Sequence, residues 1–305
     1  MRTSVAQPFR AAIVVTAVVA CAAGAWTWHA VAQRRDRRAV QTQLDEAARL
    51  LQDARYEPAR TLAESAVVLA GRRLGADAIE VARGENLLGM IDKYRARFDD
   101  AEAHYDRALR IAGHAPTADP WLVASLYHNL GGLDHARGRY AHGEPFARRA
   151  VALRRQLRGV DDPSVAADEA ALAALLDGQQ KYAEAEPLYV RAIAAFDRTY
   201  GPLYSDTAVS LNNLAALYQA QGELDRAEPL YRRALAIKER LLPPDHPDIA
   251  TTVNNLAVLC RMEGRTAEAA ALYQRALTIF ERSLGPGHPK TVTCRANYER
   301  LTKAR

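Results

Sequence analysis

The chain has 305 residues, and its 41 Lys and Arg outnumber its 36 Asp and Glu, which gives a net charge of +5. Residues 1–38 hold six arginines and one aspartate, so the remaining sequence carries 35 basic and 35 acidic side chains. A neutral body argues against a nucleic-acid-binding protein, which needs a basic stripe. With 49% hydrophobic and 25% charged residues, the composition is that of a folded protein and excludes a disordered chain.

The segment from Ala11 to Ala32 has no charged side chain. As a helix rising about 1.5 Å per residue it would be about 33 Å long, enough to cross a bilayer core. We therefore predict a short flank at 1–10, a single transmembrane anchor at 11–32 and a basic juxtamembrane linker at 33–39. Four arginines follow the span and two precede it, so the positive-inside rule places the C-terminal side in the cytoplasm.

Two other interpretations of this segment stay open. Residues 30–32 read Ala-Val-Ala and fit a signal-peptidase site before Gln33, which would release a soluble exported protein. Residues 18–21 resemble a bacterial lipoprotein box, which would make Cys21 the lipidated N-terminus of the mature protein. Either alternative predicts a periplasmic, secreted or lipid-anchored protein that acts in envelope assembly.

A period of 42 residues dominates the sequence after residue 40. Two positions stay small in every period: Ala59, Ala101, Gly143, Ala185, Ala227 and Ala269, and then Ala66, Ala108, Ala150, Ala192, Ala234 and Ala276. Apolar residues spaced three and four apart form two amphipathic stripes on either side of Gly222, which indicates two helices joined by a turn. The turn position holds Gly in three repeats, with Ala96 and Gln180 as exceptions.

Because a single helix hairpin cannot bury both of its faces, six stacked hairpins are needed to form a continuous core. We predict an all-α fold, a right-handed α-solenoid over residues 40–305, with residues 291–305 as an unpaired closing helix.

The segments LNNLAALYQAQGELDRAEPLYRRALAIKERLLPPDHPDIA and VNNLAVLCRMEGRTAEAAALYQRALTIFERSLGPGHPKTV resemble tetratricopeptide repeats, and most closely the 42-residue kinesin-light-chain type. The resemblance covers about residues 40–305, with the first four repeats more divergent. It implies a protein-binding module in which the first helices line a concave groove that receives peptides or protein segments. It implies no catalysis, and the heptad coiled coil that precedes the repeats in kinesin light chain is missing here.

The family's groove-facing positions, projected onto this chain, give a set of candidate ligand-binding residues. They are Arg83, Asn86, Lys93, His128, Asn129, His135, Asn212, Asn213, Gln219, Asn254, Asn255, Arg261, Asn297 and Arg300. An Asn amide both donates and accepts hydrogen bonds, so it suits the backbone of a bound peptide. The alternative is that these amides tie together the helices of the solenoid itself.

Two expectations concern the ligand and its position. The Arg and Lys residues of the groove favour an acidic ligand or a C-terminal carboxylate, and residues 212–300 form the main site. In the fourth repeat, Ala170 and Ala171 replace the Asn pair. We expect a tightly packed spacer there, with an apolar notch as the alternative.

Catalytic, metal and cofactor chemistry finds no support in the motifs. His128, His135 and His142 are seven residues apart, about 10.5 Å along one helix, which is too far to share a metal ion. There is no phosphate-binding loop, serine elbow or HExxH motif, and the three cysteines lie far apart. The sequence predicts a non-enzymatic, membrane-tethered scaffold for protein or peptide partners, without cofactor or metal. A nucleic-acid-binding solenoid is the remaining alternative, with a local patch at Arg83, Lys93, Arg261 and Arg300.

Overall fold

The computed structural model of the chain describes residues 7–114 and 119–303. This part of the chain contains thirteen α-helices and no β-strand. They are α1 (Gln7–Gln52), α2 (Tyr56–Leu74), α3 (Ile79–Tyr94), α4 (Phe98–His114), α5 (Pro120–Ala136), α6 (Tyr140–Arg158), α7 (Pro163–Gly178), α8 (Tyr182–Tyr200), α9 (Ser205–Ala220), α10 (Leu224–Leu241), α11 (Pro247–Met262), α12 (Thr266–Ser283) and α13 (Pro289–Lys303). The all-α class predicted from the sequence is confirmed.

The helices form antiparallel hairpins that follow the 42-residue period. Each odd-numbered helix from α1 to α11 is the first helix of a hairpin and packs on the even-numbered helix after it. Each second helix also packs on the first helix of the next hairpin, so the six hairpins stack in chain order. The unpaired α13 closes the stack from Pro289, two residues before its predicted start.

Small residues at two fixed positions bring the helices close together. The alanines at both repeat positions have no solvent-accessible surface. Tyr105, Tyr189, Tyr231 and Tyr273 lie beside them at one further repeat position, and they are among the largest fully buried side chains. Alternation of small and large residues fills the space between neighbouring helices at the density of a protein core.

The turn inside each hairpin uses one left-handed residue, even where it is not glycine. Gly138, Gly222 and Gly264 have φ angles between 72° and 80°. At the same repeat position, Ala54, Ala96 and Gln180 keep positive φ angles of 57° to 61°. A side chain in this conformation is strained because its Cβ approaches the backbone carbonyl. The stacking of the hairpins therefore imposes the turn on residues that disfavour it.

The superhelix completes a full turn, so its last connectors meet its first hairpins. Nε2 of His246 lies 3.1 Å from the carbonyl oxygen of Gln52, and Nε2 of His288 lies 3.4 Å from that of Tyr94. Both pairs are 194 residues apart, which corresponds to between four and five 42-residue repeats. Leu284 packs against both of the large hydrophobic cores, the one within residues 40–133 and the one within residues 147–301. These contacts, which we call the superhelical closure, bring the last connectors to one side of the concave groove and the first hairpins to the other.

The two histidines of the closure have fixed hydrogen-bonding roles. Nδ1 of His246 accepts a hydrogen bond from the backbone N–H of Asp248 at 3.1 Å, and Nδ1 of His288 accepts one from Lys290 at 3.2 Å. A neutral imidazole carries a proton on one nitrogen only, so Nε2–H donates to the carbonyl of the earlier hairpin. Each ring thus joins the start of one helix to the end of another.

The predicted membrane anchor falls largely outside the described side chains. Helix α1 runs through the predicted linker 33–39 into the first hairpin without a break. Among the described residues, none of the helices combines the length and apolar character that a membrane span requires.

The left-handed turn position predicts opposite effects of two matched substitutions. We expect Ala96→Gly to raise the free energy of unfolding by about 0.5–1 kcal/mol, because glycine relieves the strain at φ 58°. We expect Gly222→Ala to lower it by about 1 kcal/mol, since an added Cβ meets no atom within 4 Å and only the backbone strain remains. Urea denaturation measures both changes, and equal signs for the two variants would contradict the explanation.

Candidate ligand-binding groove

A cavity with a volume of about 770 Å³ lies inside the superhelical closure. Helices α1 and α3 form one wall. The opposite wall comes from the connector before α9, the first turns of α9, and the connector between α10 and α11. Of the predicted groove residues, Arg83 and Asn86 line it. We call this space the interior cavity.

Two smaller cavities continue the same surface along α5, α7 and α9. One has a volume of about 190 Å³ and is lined by Ala167, Ala170, Ala171, Ala174, His128, Phe196 and Asn213, among others. The other, of about 390 Å³, lies beside Trp121 and Asp168. Asp206 contributes to all three cavities, so they form one continuous surface. The alanine face of α7 borders open space, which corresponds to the apolar notch rather than to the spacer we expected.

The conspicuous Asn residues bond to each other across neighbouring first helices. Nδ2 of Asn129 donates to Oδ1 of Asn86 at 2.8 Å, and Nδ2 of Asn255 lies 3.4 Å from Oδ1 of Asn212. Asn212 also contacts Asn213 at 3.4 Å. These amides join one repeat to the next, as in the alternative interpretation of the sequence. Asn254 differs because its Oδ1 atom is buried without a hydrogen-bond partner.

Two of the predicted cationic groove residues already bond to other side chains of this protein. Nη2 of Arg83 forms an ion pair with Asp119 at 3.0 Å, and Arg300 donates to Oδ1 of Asn297. Gln219 accepts a hydrogen bond from the Tyr231 hydroxyl at 3.1 Å. Arg261 is exposed. The structure thus spreads the predicted residues 212–300 along α9, α11 and α13, away from the interior cavity.

The three histidines predicted to lie on polar faces have separate partners. Nδ1 of His128 lies 2.8 Å from the fully buried carboxylate of Asp168, which also pairs with Arg154. Nδ1 of His142 lies 2.6 Å from Asp134. The ring of His135 packs edge-on against Tyr140. Within the described residues, no three His, Cys, Asp or Glu side chains are arranged to hold a metal ion.

One repeat position carries a polar side chain at the end of successive first helices, and in four of five repeats that side chain is ionisable. Its members are Lys93, His135, Asp177, Gln219 and Arg261, each 42 residues from the next. Burial lowers the pKa of Lys93, aided by Lys290 and opposed by Asp248, and burial followed by Lys93 lowers the pKa of His135. Burial raises the pKa of Asp177 to about 6. Burial therefore disfavours the charged forms of Lys93, His135 and Asp177.

Sequence reasoning missed Asp177, although the signal was present. A step of 42 residues back from Gln219 reaches it directly. It was passed over because the fourth repeat lacks the Asn pair and was taken for a spacer. Residues of the connectors that line the interior cavity were missed as well, since no local pattern shows that connectors 194 residues from α1 and α3 come to face them.

Comparisons with known proteins agree with this architecture. The family model described as tetratricopeptide repeat matches residues 122–198, 169–240, 206–282 and 248–304. Among curated protein sequences, none matches the chain.

Three solved structures illustrate the similarity of fold. NprR in complex with its cognate peptide NprX is 13% identical, with a TM-score of 0.67, over 88% of this chain and 74% of that one. A Rap protein complexed with competence and sporulation factor is 14% identical, with a TM-score of 0.59, over 87% and 88%. BtubC (BKLC) from P. vanneervenii is 24% identical, with a TM-score of 0.49, over 87% and 92%.

The raised pKa of Asp177 predicts a pH-dependent stability. Between about pH 4 and pH 6 the folded chain keeps a proton that the unfolded chain has released, so this residue costs stability as the pH rises. We expect Asp177→Asn to be about 1–3 kcal/mol more stable than the parent at pH 7.5, with the difference vanishing near pH 4. Denaturation across this range, with the exposed Asp161→Asn as control, measures it. A difference that does not change with pH would refute the assignment.

Proposed function

Because the chain belongs to the tetratricopeptide repeat family, we propose that it is a non-enzymatic scaffold that binds a peptide or an extended protein segment inside its superhelix. The observation that carries the proposal is the interior cavity. It is bounded by two parts of the chain that are distant in sequence, so a segment lying in it would contact both walls at once. A cavity of several hundred Å³ with apolar walls and a few polar groups is the usual form of a binding site.

Exposed apolar side chains support this position for the site. Four apolar side chains that line the interior cavity are each 38% to 45% exposed, namely Tyr94, Leu203, Val209 and Leu241. Apolar groups that remain in contact with water and lie together in a concave surface indicate an interaction site. A bound segment would remove them from water.

The structure of NprR is a complex with its cognate peptide NprX, and that of the Rap protein is a complex with competence and sporulation factor. Their similarity to this chain concerns the fold. It supports the proposal in one respect, since NprR, which has this fold, forms a complex with a peptide.

The scaffold is proposed to be tethered to a membrane, with its repeats in the cytoplasm. This part depends on the sequence alone, on the uncharged segment 11–32 and the four arginines that follow it. A tether would raise the effective concentration of the groove for partners at the same membrane. Export to the periplasm, or a lipid anchor at Cys21, is the competing location.

The charge of the ligand is left out of this proposal. The expectation of an acidic ligand depended on Arg83, Lys93, Arg261 and Arg300. Arg83 and Arg300 already have partners within the chain, and burial lowers the pKa of Lys93.

Filling the interior cavity should abolish binding. We expect Val209→Trp to weaken the binding of peptides selected from a random nonapeptide display library by at least about tenfold. The control is Val190→Trp on α8, because Val190 is 48% exposed and Val209 is 44% exposed, but Val190 does not line the interior cavity. Fluorescence anisotropy of labelled peptides measures the affinities. Equal affinities for the two variants would place the binding site elsewhere.

The tether predicts that the native chain stays in the membrane pellet after an alkaline wash. Intact-mass spectrometry of that material should show an uncleaved N-terminal segment that includes residues 11–32. A mature chain that begins at Gln33, or a lipidated Cys21, would contradict the anchor and support export.

A further inference from the structure

The walls of the interior cavity carry more negative than positive charge. It is lined by four aspartates, Asp45, Asp53, Asp206 and Asp248, and, among the described residues, by one arginine, Arg83. Arg83 is already neutralised by its 3.0 Å ion pair with Asp119. Among the described residues, no cation lies within ion-pairing distance of Asp45, Asp53 or Asp206.

Two of these carboxylates have only neutral hydrogen-bond donors. Asp45 accepts from Nε2 of Gln41 at 2.7 Å, and Asp206 accepts from the Ser205 hydroxyl at 3.3 Å. Neutral donors leave the charge of a carboxylate in place. Many acids elsewhere in the chain are paired with Arg, as with Asp197 and Arg233 at 2.8 Å. The cavity therefore keeps carboxylates that could each accept a cation from a ligand.

Asp248 is the exception, because the chain supplies its cations. Burial acts to raise its pKa, but Lys238, Lys290, His246 and Lys93 outweigh burial and lower it. Lys238 is held in place by hydrogen bonds from Nζ to the Thr252 hydroxyl at 2.8 Å and the Asp248 carbonyl at 3.2 Å. Asp248 is thus compensated within the fold, and the uncompensated charge is that of Asp45, Asp53 and Asp206.

Aromatic rings stand beside the unpaired carboxylates. Tyr56 and Tyr94 stack with ring centroids 6.1 Å apart, and both line the cavity, as does Tyr204. The pKa of Tyr94 is raised by burial, and then by Asp248, Tyr56 and Asp206, so the negative field of the opposite wall reaches this ring. Tyr56 is only 4% exposed, and Nζ of Lys93 already lies 5.5 Å from the centroid of the Tyr94 ring. The carboxylates rather than the rings therefore attract a Lys or Arg side chain of a ligand, through ion pairs.

We infer that the interior cavity selects a peptide segment in which Lys or Arg stands next to apolar residues. The inference rests on the proposed function and names the ligand class for that site. The cationic side chain forms an ion pair with Asp206. Its apolar neighbours cover Leu203, Val209 and Leu241. This chemistry is opposite in sign to the one that the basic residues of the sequence suggested.

The test begins with a random nonapeptide display library, selected on the full chain in detergent after removal of peptides that bind empty micelles. We expect the enriched peptides to contain Lys or Arg beside Leu, Val or aromatic residues, and to be depleted in Asp and Glu. The best peptide is then compared with its Lys→Gln or Arg→Gln version by fluorescence anisotropy. We expect the neutral version to bind about five- to tenfold more weakly, with a smaller dependence on salt.

Protein variants locate the effect in the cavity. We expect Asp206→Asn to weaken the cationic peptide about five- to tenfold and to leave the neutral peptide unchanged. Asp225→Asn is the matched control, because both residues are second in their helix, α9 and α10, and Asp225 does not line the cavity. Thermal unfolding monitored by circular dichroism verifies that both variants fold. The peptide substitution tests the same contact without altering the protein.

The outcomes separate the two claims. Enrichment of acidic or uncharged peptides, or equal effects of Asp206→Asn and Asp225→Asn, overturns the cationic preference while groove binding stands. If none of the selected peptides binds the Val209→Trp variant more weakly than the parent chain, the proposed function itself is overturned.

Discussion

Close approach of helices at buried alanines is the constraint on which the architecture depends. With no accessible surface at two positions per repeat, neighbouring helices are held at nearly the same distance in every hairpin. A regular step accumulates into a superhelix with a definite number of hairpins per turn. The superhelical closure, and with it the interior cavity, follows from that step. A larger residue at any of these positions would change the step and displace every later hairpin.

The structure of each repeat could be predicted from the sequence, because the residues of that repeat specify it. The hairpins, the alanine register and the closing helix follow from period and spacing. The left-handed turn could be predicted only in part, since Ala54, Ala96 and Gln180 adopt it without being glycine.

In the second and third repeats, Asp92 and Asp134 replace the core residue that is Tyr218 in the fifth. Both are buried, and Arg97 and Arg139 pair with them at 2.7 Å and 2.6 Å.

The candidate site was harder to predict from the sequence, because it depends on contacts between residues that are 194 positions apart in the chain. No periodic pattern shows that the connectors around Leu203 and Leu242 face α1 and α3. The Asn pairs were conspicuous for a different reason, since they repeat with the helices that they join. Side chains that maintain a repeat recur with its period, whereas side chains that surround a cavity come from non-equivalent positions. A search by register therefore finds the first kind more readily than the second.

The two histidine contacts of the closure also set a length requirement on the chain. Both donate to the carbonyl at the C-terminal end of a first helix, an acceptor that every residue type provides and that lacks a partner in its own helix. The contacts thus depend on how many repeats separate donor and acceptor rather than on the side chains of Gln52 and Tyr94. A chain that lacked one repeat between donor and acceptor would leave each histidine short of its acceptor, and a chain with additional repeats would begin a second coil above the first. The step between hairpins sets the diameter of the superhelix, and the number of repeats decides whether the chain is long enough to complete one turn.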